Sequence, residues 1–390
     1  MLIGLDASRA LTARRTGTER YSLELIRHLL ALDTGHRWRL YVRSVPEQAL
    51  SLLRLSERAE VVRIRWPRLW THGGLSFETW RRPPDVLFVP AHVLPLYAPR
   101  RSVVTVHDVG YRWFPRAHPW RQRLYLHWGT WWSVRRAHRI IADSEATRSD
   151  VIRFYKVPPE RVSVVYPGRD EAIRRVEDPR QVDAVRRKHA LTRPYVLFVG
   201  TLQPRKNLER LIHAFARAIP LLPDEWGSLE LVLAGGTGWL ADAILDAPGR
   251  YGIDGRVRFL GYVPDEDLPA LLTGARAFAF PSLYEGFGFP ILEAQACGVP
   301  VLASNVSSLP EVAGTRHCWW IPLMWTPWRR VCVAWLWMRR SGARWSPADT
   351  RTSSGSVGRE QLAKCSRSWN PLGKAHETLT HPGREAGRPG

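Results

Sequence analysis

Short apolar, β-branched or Leu-rich runs alternate along the chain with longer segments whose apolar positions recur at helical spacing. The short runs predict strands at Leu2–Asp6, Arg39–Val42, Val61–Ile64, Val86–Val89, Val103–His107, Arg139–Ala142 and Val162–Val165. Helical periodicity falls between them, at Glu19–Leu32, Gln122–Arg136 and Glu145–Tyr155. The segment Asp170–Thr192 is polar and charged, and predicts a linker with a helix in it. A second alternating unit follows. Its strands are expected at Tyr195–Val199, Leu229–Leu233, Val257–Leu260, Ala277–Phe280 and Val299–Ala303, and its helices at Leu208–Ala218, Asp267–Thr273 and Phe289–Cys297. Alternation of this kind implies parallel sheets with helices on both faces. The fold class is therefore α/β, with two doubly wound domains over 1–170 and 193–314 joined through 171–192. Ligands of such sheets sit at the carboxyl ends of the strands, which here face a cleft between the domains.

Composition supports a folded chain. Of 390 residues, 45% are hydrophobic and 24% charged, a globular balance. The start Met1-Leu2-Ile3-Gly4-Leu5-Asp6 runs straight into a strand-like segment without the layout of a secretory signal, and no apolar run reaches spanning length. Four cysteines without paired or metal-type spacing suit a reducing compartment. These features predict a cytoplasmic protein. The net charge of +21 raises nucleic acid and anionic membrane surfaces as partners. No zinc-finger or RNA-recognition signature accompanies it, so no specific nucleic acid is expected.

Two segments carry the chemistry. In Ser282-Leu283-Tyr284-Glu285-Gly286-Phe287-Gly288-Phe289-Pro290-Ile291-Leu292-Glu293, a strand ends, a glycine-containing loop follows and a helix opens with Pro290 in its first turn. Free N–H groups at such a helix start suit a diphosphate. Glu285 in the loop and Glu293 in the helix suit sugar or ribose hydroxyls. In Val199-Gly200-Thr201-Leu202-Gln203-Pro204-Arg205-Lys206-Asn207, Arg205 and Lys206 leave a strand-end loop, where fixed cations can neutralise a departing diphosphate. A solvated basic turn and a capped surface helix are the plainer alternatives. His107, in Val104-Thr105-Val106-His107-Asp108, ends a strand at the expected cleft, where a turn histidine fits as well; Asp108 is read as orienting that loop. Gly17, in Thr16-Gly17-Thr18-Glu19-Arg20-Tyr21, opens a helix after the first strand. Asp265-Glu266-Asp267 mimics a metal-binding D-x-D, but its place before Leu268 predicts capping and first-turn acids.

Together these segments, with Gly235-Gly236-Thr237-Gly238 and Phe259-Leu260-Gly261-Tyr262-Val263-Pro264, resemble the retaining glycosyltransferases of the GT-B fold, family 4 type, over about residues 1–314. The resemblance implies transfer of a sugar from a nucleotide-diphospho-sugar, which is a substrate and not a cofactor, to a polysaccharide or lipid-linked glycan. Mannose is favoured because the 199–207 segment resembles mannosyltransferase-type members. It also implies that His107, Glu285 and Lys206 serve catalysis. The donor would be held by Gly17, Arg205, Lys206, Val263, Glu285, Gly286, Phe287, Gly288 and Glu293, with Glu293 on the ribose, Glu285 on the sugar hydroxyls and Lys206 on the diphosphate. No essential metal is expected. Thr201 departs from the arginine that many members carry there. Tryptophans in the first half, among them Trp113, Trp120, Trp128, Trp131 and Trp132, suggest a lipid-linked acceptor or a peripheral contact with the inner membrane. A non-catalytic nucleotide-sugar or nucleic-acid binder, and a GT-B epimerase or phosphorylase, are the alternatives.

After Gly314 the texture changes. Residues 315–390 hold 13 Lys or Arg against 4 Asp or Glu, and 8 of the 19 Trp, without clear periodicity. Read one nucleotide out of frame, His317-Cys318-Trp319-Trp320-Ile321 is compatible with Leu-Leu-Val-Asp, which resembles the family's usual continuation. A frameshift near residue 314 is therefore inferred. It predicts an incomplete second domain, exposure of Val301 and Leu302, a poorly ordered, aggregation-prone tail and impaired activity.

Overall fold

The computed structural model describes residues 1–12, 17–32, 35–43, 50–53, 55, 57–91 and 93–314, and the backbone of 318–320. Among the described residues, thirteen strands form two sheets in which every pair is parallel. The first sheet holds β1 (Leu2–Asp6), β2 (Arg37–Val42), β3 (Ala59–Arg63), β4 (Val86–Val89), β5 (Ser102–Val106), β6 (Arg139–Ala142) and β7 (Val162–Val164). Its order is β3-β2-β1-β4-β5-β6-β7. The second holds β8 (Tyr195–Val199), β9 (Glu230–Ala234), β10 (Val257–Gly261), β11 (Ala277–Phe280), β12 (Val301–Ser304) and β13 (Cys318–Trp320), in the order β10-β9-β8-β11-β12-β13. Each sheet reverses direction between its first and fourth strands, and each reversal opens a crevice at the carboxyl edge.

Periodicity explains the cover. The helix Leu208–Ala218 buries Leu208, Leu211, Ile212 and Phe215 on one stripe against β8 and its neighbours. β9 is buried at all five positions, as expected of a central parallel strand. The polar segment after β7 contains a helix at Pro179–Lys188, started by the Asp178 side chain accepting from the Arg180 N–H.

Two expectations need correction. Val301 and Leu302 are buried, each 5% exposed, in the core of the second domain, and a further strand pairs along that edge: Leu302 pairs with Cys318 and Ser304 with Trp320. The stretch after Gly314 therefore gives at least one strand to the second sheet, where no strand was expected. The remainder of that stretch, and with it the predicted disorder, lies outside the described residues. Among the described helices none is long and apolar enough to cross a membrane.

Candidate active site

The topology gathers the charged residues. β8 and β11 are the adjacent strands that flank the second sheet's reversal, so the loops leaving them meet. The β8 loop turns through Pro204–Lys206, and its Arg205 carbonyl accepts from the Leu283 N–H of the β11 loop at 2.9 Å. Lys206 Nζ donates to Glu285 Oε1 at 2.6 Å, and Arg205 Nη1 to Glu285 Oε2 at 3.1 Å. All three side chains are largely buried, at 10–13% exposure. Burial opposes the charge on Glu285, but Lys206 and then Arg205 outweigh it and hold the carboxyl below its ordinary pKa. Glu285 is thus a fixed carboxylate. Burial pulls the Lys206 pKa down while Glu285 counters it. An ammonium has three donors, so two remain for another oxygen-rich partner.

The helix Phe289–Ala296 starts behind this cluster. Gly288 stands before it at φ 123°, a conformation that favours glycine, and no side chain caps the helix start. Glu293, in its second turn, is buried at 8% exposure. Its carboxyl is pushed up to about 7, first by burial, with Arg20 opposing the rise. Arg20 reaches it from the first domain at 3.5 Å and reaches Asp265 at 2.6 Å. Gly17 begins the helix Gly17–Ala31, and a side chain there would meet the Phe289 ring at 3.5 Å. Phe287 is buried edge-on to Phe289, and Val263 packs half-buried on the second core.

Gly286 has a structural reason that its sequence did not show. A Cβ there would overlap the His107 carbonyl, so the close approach is to the first domain's backbone. The Gly286 carbonyl accepts from Ser144 Oγ at 2.7 Å and Thr147 Oγ1 at 3.2 Å. The His107 ring turns into its own domain: Nδ1 lies 2.6 Å from Asp143 Oδ2 and Nε2 2.9 Å from the Pro90 carbonyl. Both partners are acceptors, so both ring nitrogens donate and the imidazole is cationic. Burial opposes that charge, and the Asp143 carboxylate overcomes it and raises the His107 pKa. Asp108 accepts from the Gly110 N–H at 2.9 Å and so shapes the loop.

Residues 15–172 match the family described as Glycosyltransferase Family 4, and residues 181–321 the one described as Glycosyl transferases group 1. O-antigen chain mannosyltransferase B of Escherichia coli is 34% identical over 321 residues, which is 77% of this chain and 81% of that protein. The chain belongs to the GT-B glycosyltransferases of the family 4 type. A D-inositol 3-phosphate glycosyltransferase of Corynebacterium efficiens is 34% identical over 182 residues, 45% of this chain and 42% of the relative. The fold is shared with HepE of Anabaena, solved with UDP-glucose (TM-score 0.65, 18% identity, 94% of this chain and 99% of that one). It is also shared with WaaG, a glycosyltransferase of lipopolysaccharide biosynthesis (TM-score 0.64, 19% identity, 93% and 99%).

Several residues that join the two domains of this GT-B hexosyltransferase escaped sequence reasoning. Glu311 Oε2 and Oε1 accept from the Glu145 and Ala146 N–H groups at 2.9 and 3.0 Å. A second-domain carboxylate thus caps a first-domain helix. Tyr284 Oη donates to Asp150 at 2.7 Å, and Trp113 Nε1 donates to the same oxygen at 2.9 Å. Asp143 had one topological signal: it follows β6, the neighbour of the strand that ends before His107. Asp267 also differs from expectation. It makes no side-chain cap, and its carboxylate takes Lys188 Nζ at 2.7 Å and His189 Nε2 at 2.8 Å. Among the described residues, no group of three or more His, Cys, Asp or Glu could hold a metal ion.

Proposed function

We propose that the enzyme transfers mannose from GDP-mannose to a polysaccharide or lipid-linked glycan, with retention of anomeric configuration. The observation that carries this reading is the Glu285 carboxylate fixed between Lys206 and Arg205 beside an uncapped helix start. In this reading the diphosphate lies over the start of Phe289–Ala296 and takes the free donors of Lys206, with Arg205 adding charge. Glu285 accepts from sugar hydroxyls and Glu293 from the ribose. The acceptor oxygen bonds to the anomeric carbon on the face from which the diphosphate departs. The carbon–oxygen bond to phosphate breaks, and the acceptor's proton passes to the leaving phosphate oxygen. No side chain is assigned as a covalent nucleophile. His107, Gly17, Val263, Phe287 and the two loop glycines shape the donor side. The name of the E. coli relative supports mannose and a polysaccharide product.

The same reading has the enzyme work in the cytoplasm, docked on the inner membrane. The helix Trp120–Arg136 contains no acidic residue, and it exposes Trp120 at 64% and Leu124 at 61% beside Arg121 and Arg123. Such aromatic and cationic faces suit anionic headgroups. The frame change after codon 314 is part of the proposal, and sequencing across that codon reads it directly.

Incubation with GDP-[14C]mannose and lipid-linked oligosaccharide, followed by NMR of the new linkage, tests the reaction. A labelled product with the donor's anomeric configuration is expected. Exclusive use of another nucleotide sugar, or an inverted product, would overturn the assignment.

A further inference from the structure

A second concavity, of about 310 Å³, lies on the first domain and takes no part in the donor site. Ser8, Arg9 and Thr12 reach it from the segment after β1, Arg43 from the end of β2, and Thr71, His72 and Tyr125 close it. It is therefore at the carboxyl edge of the sheet, where parallel sheets bind ligands. By strand order it stands two to three strands from β5 and His107, roughly 10–14 Å away. The cations proposed for the donor diphosphate, Lys206 and Arg205, belong by contrast to the second domain.

Its chemistry is one-sided. Two guanidinium groups flank it, and none of its described lining residues is acidic. Arg9 has a 3.5 Å contact with Glu19 while its side chain stays 63% exposed. His72 carries a buried Nδ1 without a hydrogen-bond partner, and its Nε2 is 3.5 Å from the Tyr125 hydroxyl. Burial lowers the His72 pKa, so at neutral pH the ring is uncharged and can offer a donor or an acceptor. The wall is unusual backbone as well: Thr71–Leu75 winds as a π-helical turn, and Leu69 sits at φ 51° with its side chain 73% exposed at the mouth.

We infer that this pocket holds the phosphate ester of the acceptor, with Arg9 and Arg43 on its oxygens and hydroxyls of Ser8, Thr12 and Tyr125 completing the set. Two arginines match a group carrying more than one negative oxygen better than they match a neutral sugar. Leu69 and Tyr125 at the rim continue onto the exposed face of Trp120–Arg136, which gives an apolar substituent on that phosphate somewhere to lie. The inference rests on the transferase reading for what is transferred, and names the acceptor's chemical class.

The test uses the full chain with GDP-mannose and three acceptors: octyl mannoside, soluble methyl mannosyl phosphate, and dodecyl mannosyl phosphate in detergent. Both phosphate esters are expected to have lower KM than octyl mannoside. A further gain for the dodecyl compound identifies a lipid source, and equal KM values identify a soluble one. Arg43→Ala should raise KM for the phosphate esters about tenfold, with partial rescue by Arg43→Lys and no change in KM for GDP-mannose. Equal KM for octyl mannoside and the esters in the wild type would overturn the inference, as would a shift in donor KM in Arg43→Ala. If no acceptor is mannosylated, the donor reading fails separately. Calorimetric titration of methyl mannosyl phosphate, with GDP saturating the donor site, still reads the pocket: binding lost in Arg43→Ala supports it, and binding unchanged refutes it.

Discussion

On the second domain's side of the cleft, Lys206 and Arg205 share the single carboxylate of Glu285 within hydrogen-bonding distance, whereas on the first domain's rim Arg9 and Arg43 face a pocket with no carboxylate among its described lining residues. The first arrangement is buried; in the second, Arg43 is exposed and Arg9 stays largely exposed beside Glu19. Buried charges must be matched within the chain, because water no longer solvates them. Exposed ones need no such match. The two regions thus treat charge in opposite ways: a buried carboxylate held by its own cations, and exposed guanidinium groups around a concave surface.

The largest break in this contrast comes from Glu285→Ala. It leaves two buried cations without their carboxylate, and we expect a loss of about 3–5 kcal/mol in urea unfolding together with loss of transfer. Arg43→Ala, at an exposed position, should stay within about 0.5 kcal/mol of wild type. Equal losses for the two would erase the distinction.

A smaller effect should follow from Glu293. Its folded pKa of about 7 lies above the ordinary value of 4.5, so the native state prefers the protonated carboxyl. Stability is then full below about pH 4.5 and falls as pH rises through about 7, by roughly 3 kcal/mol in total. Glu293→Gln should remove this fall from a stability–pH series measured between pH 4 and 8. An unchanged slope would show that Arg20 keeps the carboxylate ionised. A smaller loss again is expected of Glu311→Gln, which weakens the shared helix cap by about 1 kcal/mol and should raise the radius of gyration in solution scattering through partial opening of the domains.

Local patterns made much of this readable. Strand cores such as Tyr195–Val199, and the strand–loop–helix sequence around Glu285, depend on neighbours within about ten residues, and Lys206 and Glu285 meet because parallel topology aligns their strand ends. The unread part consists of long-range pairings. Arg20 and Glu293 are 273 residues apart, and Glu145 and Glu311 are 166 apart. That Gly286 makes room for the His107 carbonyl was unreadable because a sequence records that a side chain is absent without recording what would displace it. In the same way, the apolar character of Leu302 did not reveal the strand that pairs beside it.

The Glu311 cap also bears on how the chain is made. The helix Glu145–Tyr155 has its own Ser144 cap on the Thr147 N–H, yet its first two amides are satisfied only by a residue synthesised far later. During translation the first domain can collapse around its sheet well before residue 311 leaves the ribosome. Its cleft-facing helix start must wait in water until the second domain has folded against it. Completion of the first half is therefore a late event, timed by the second.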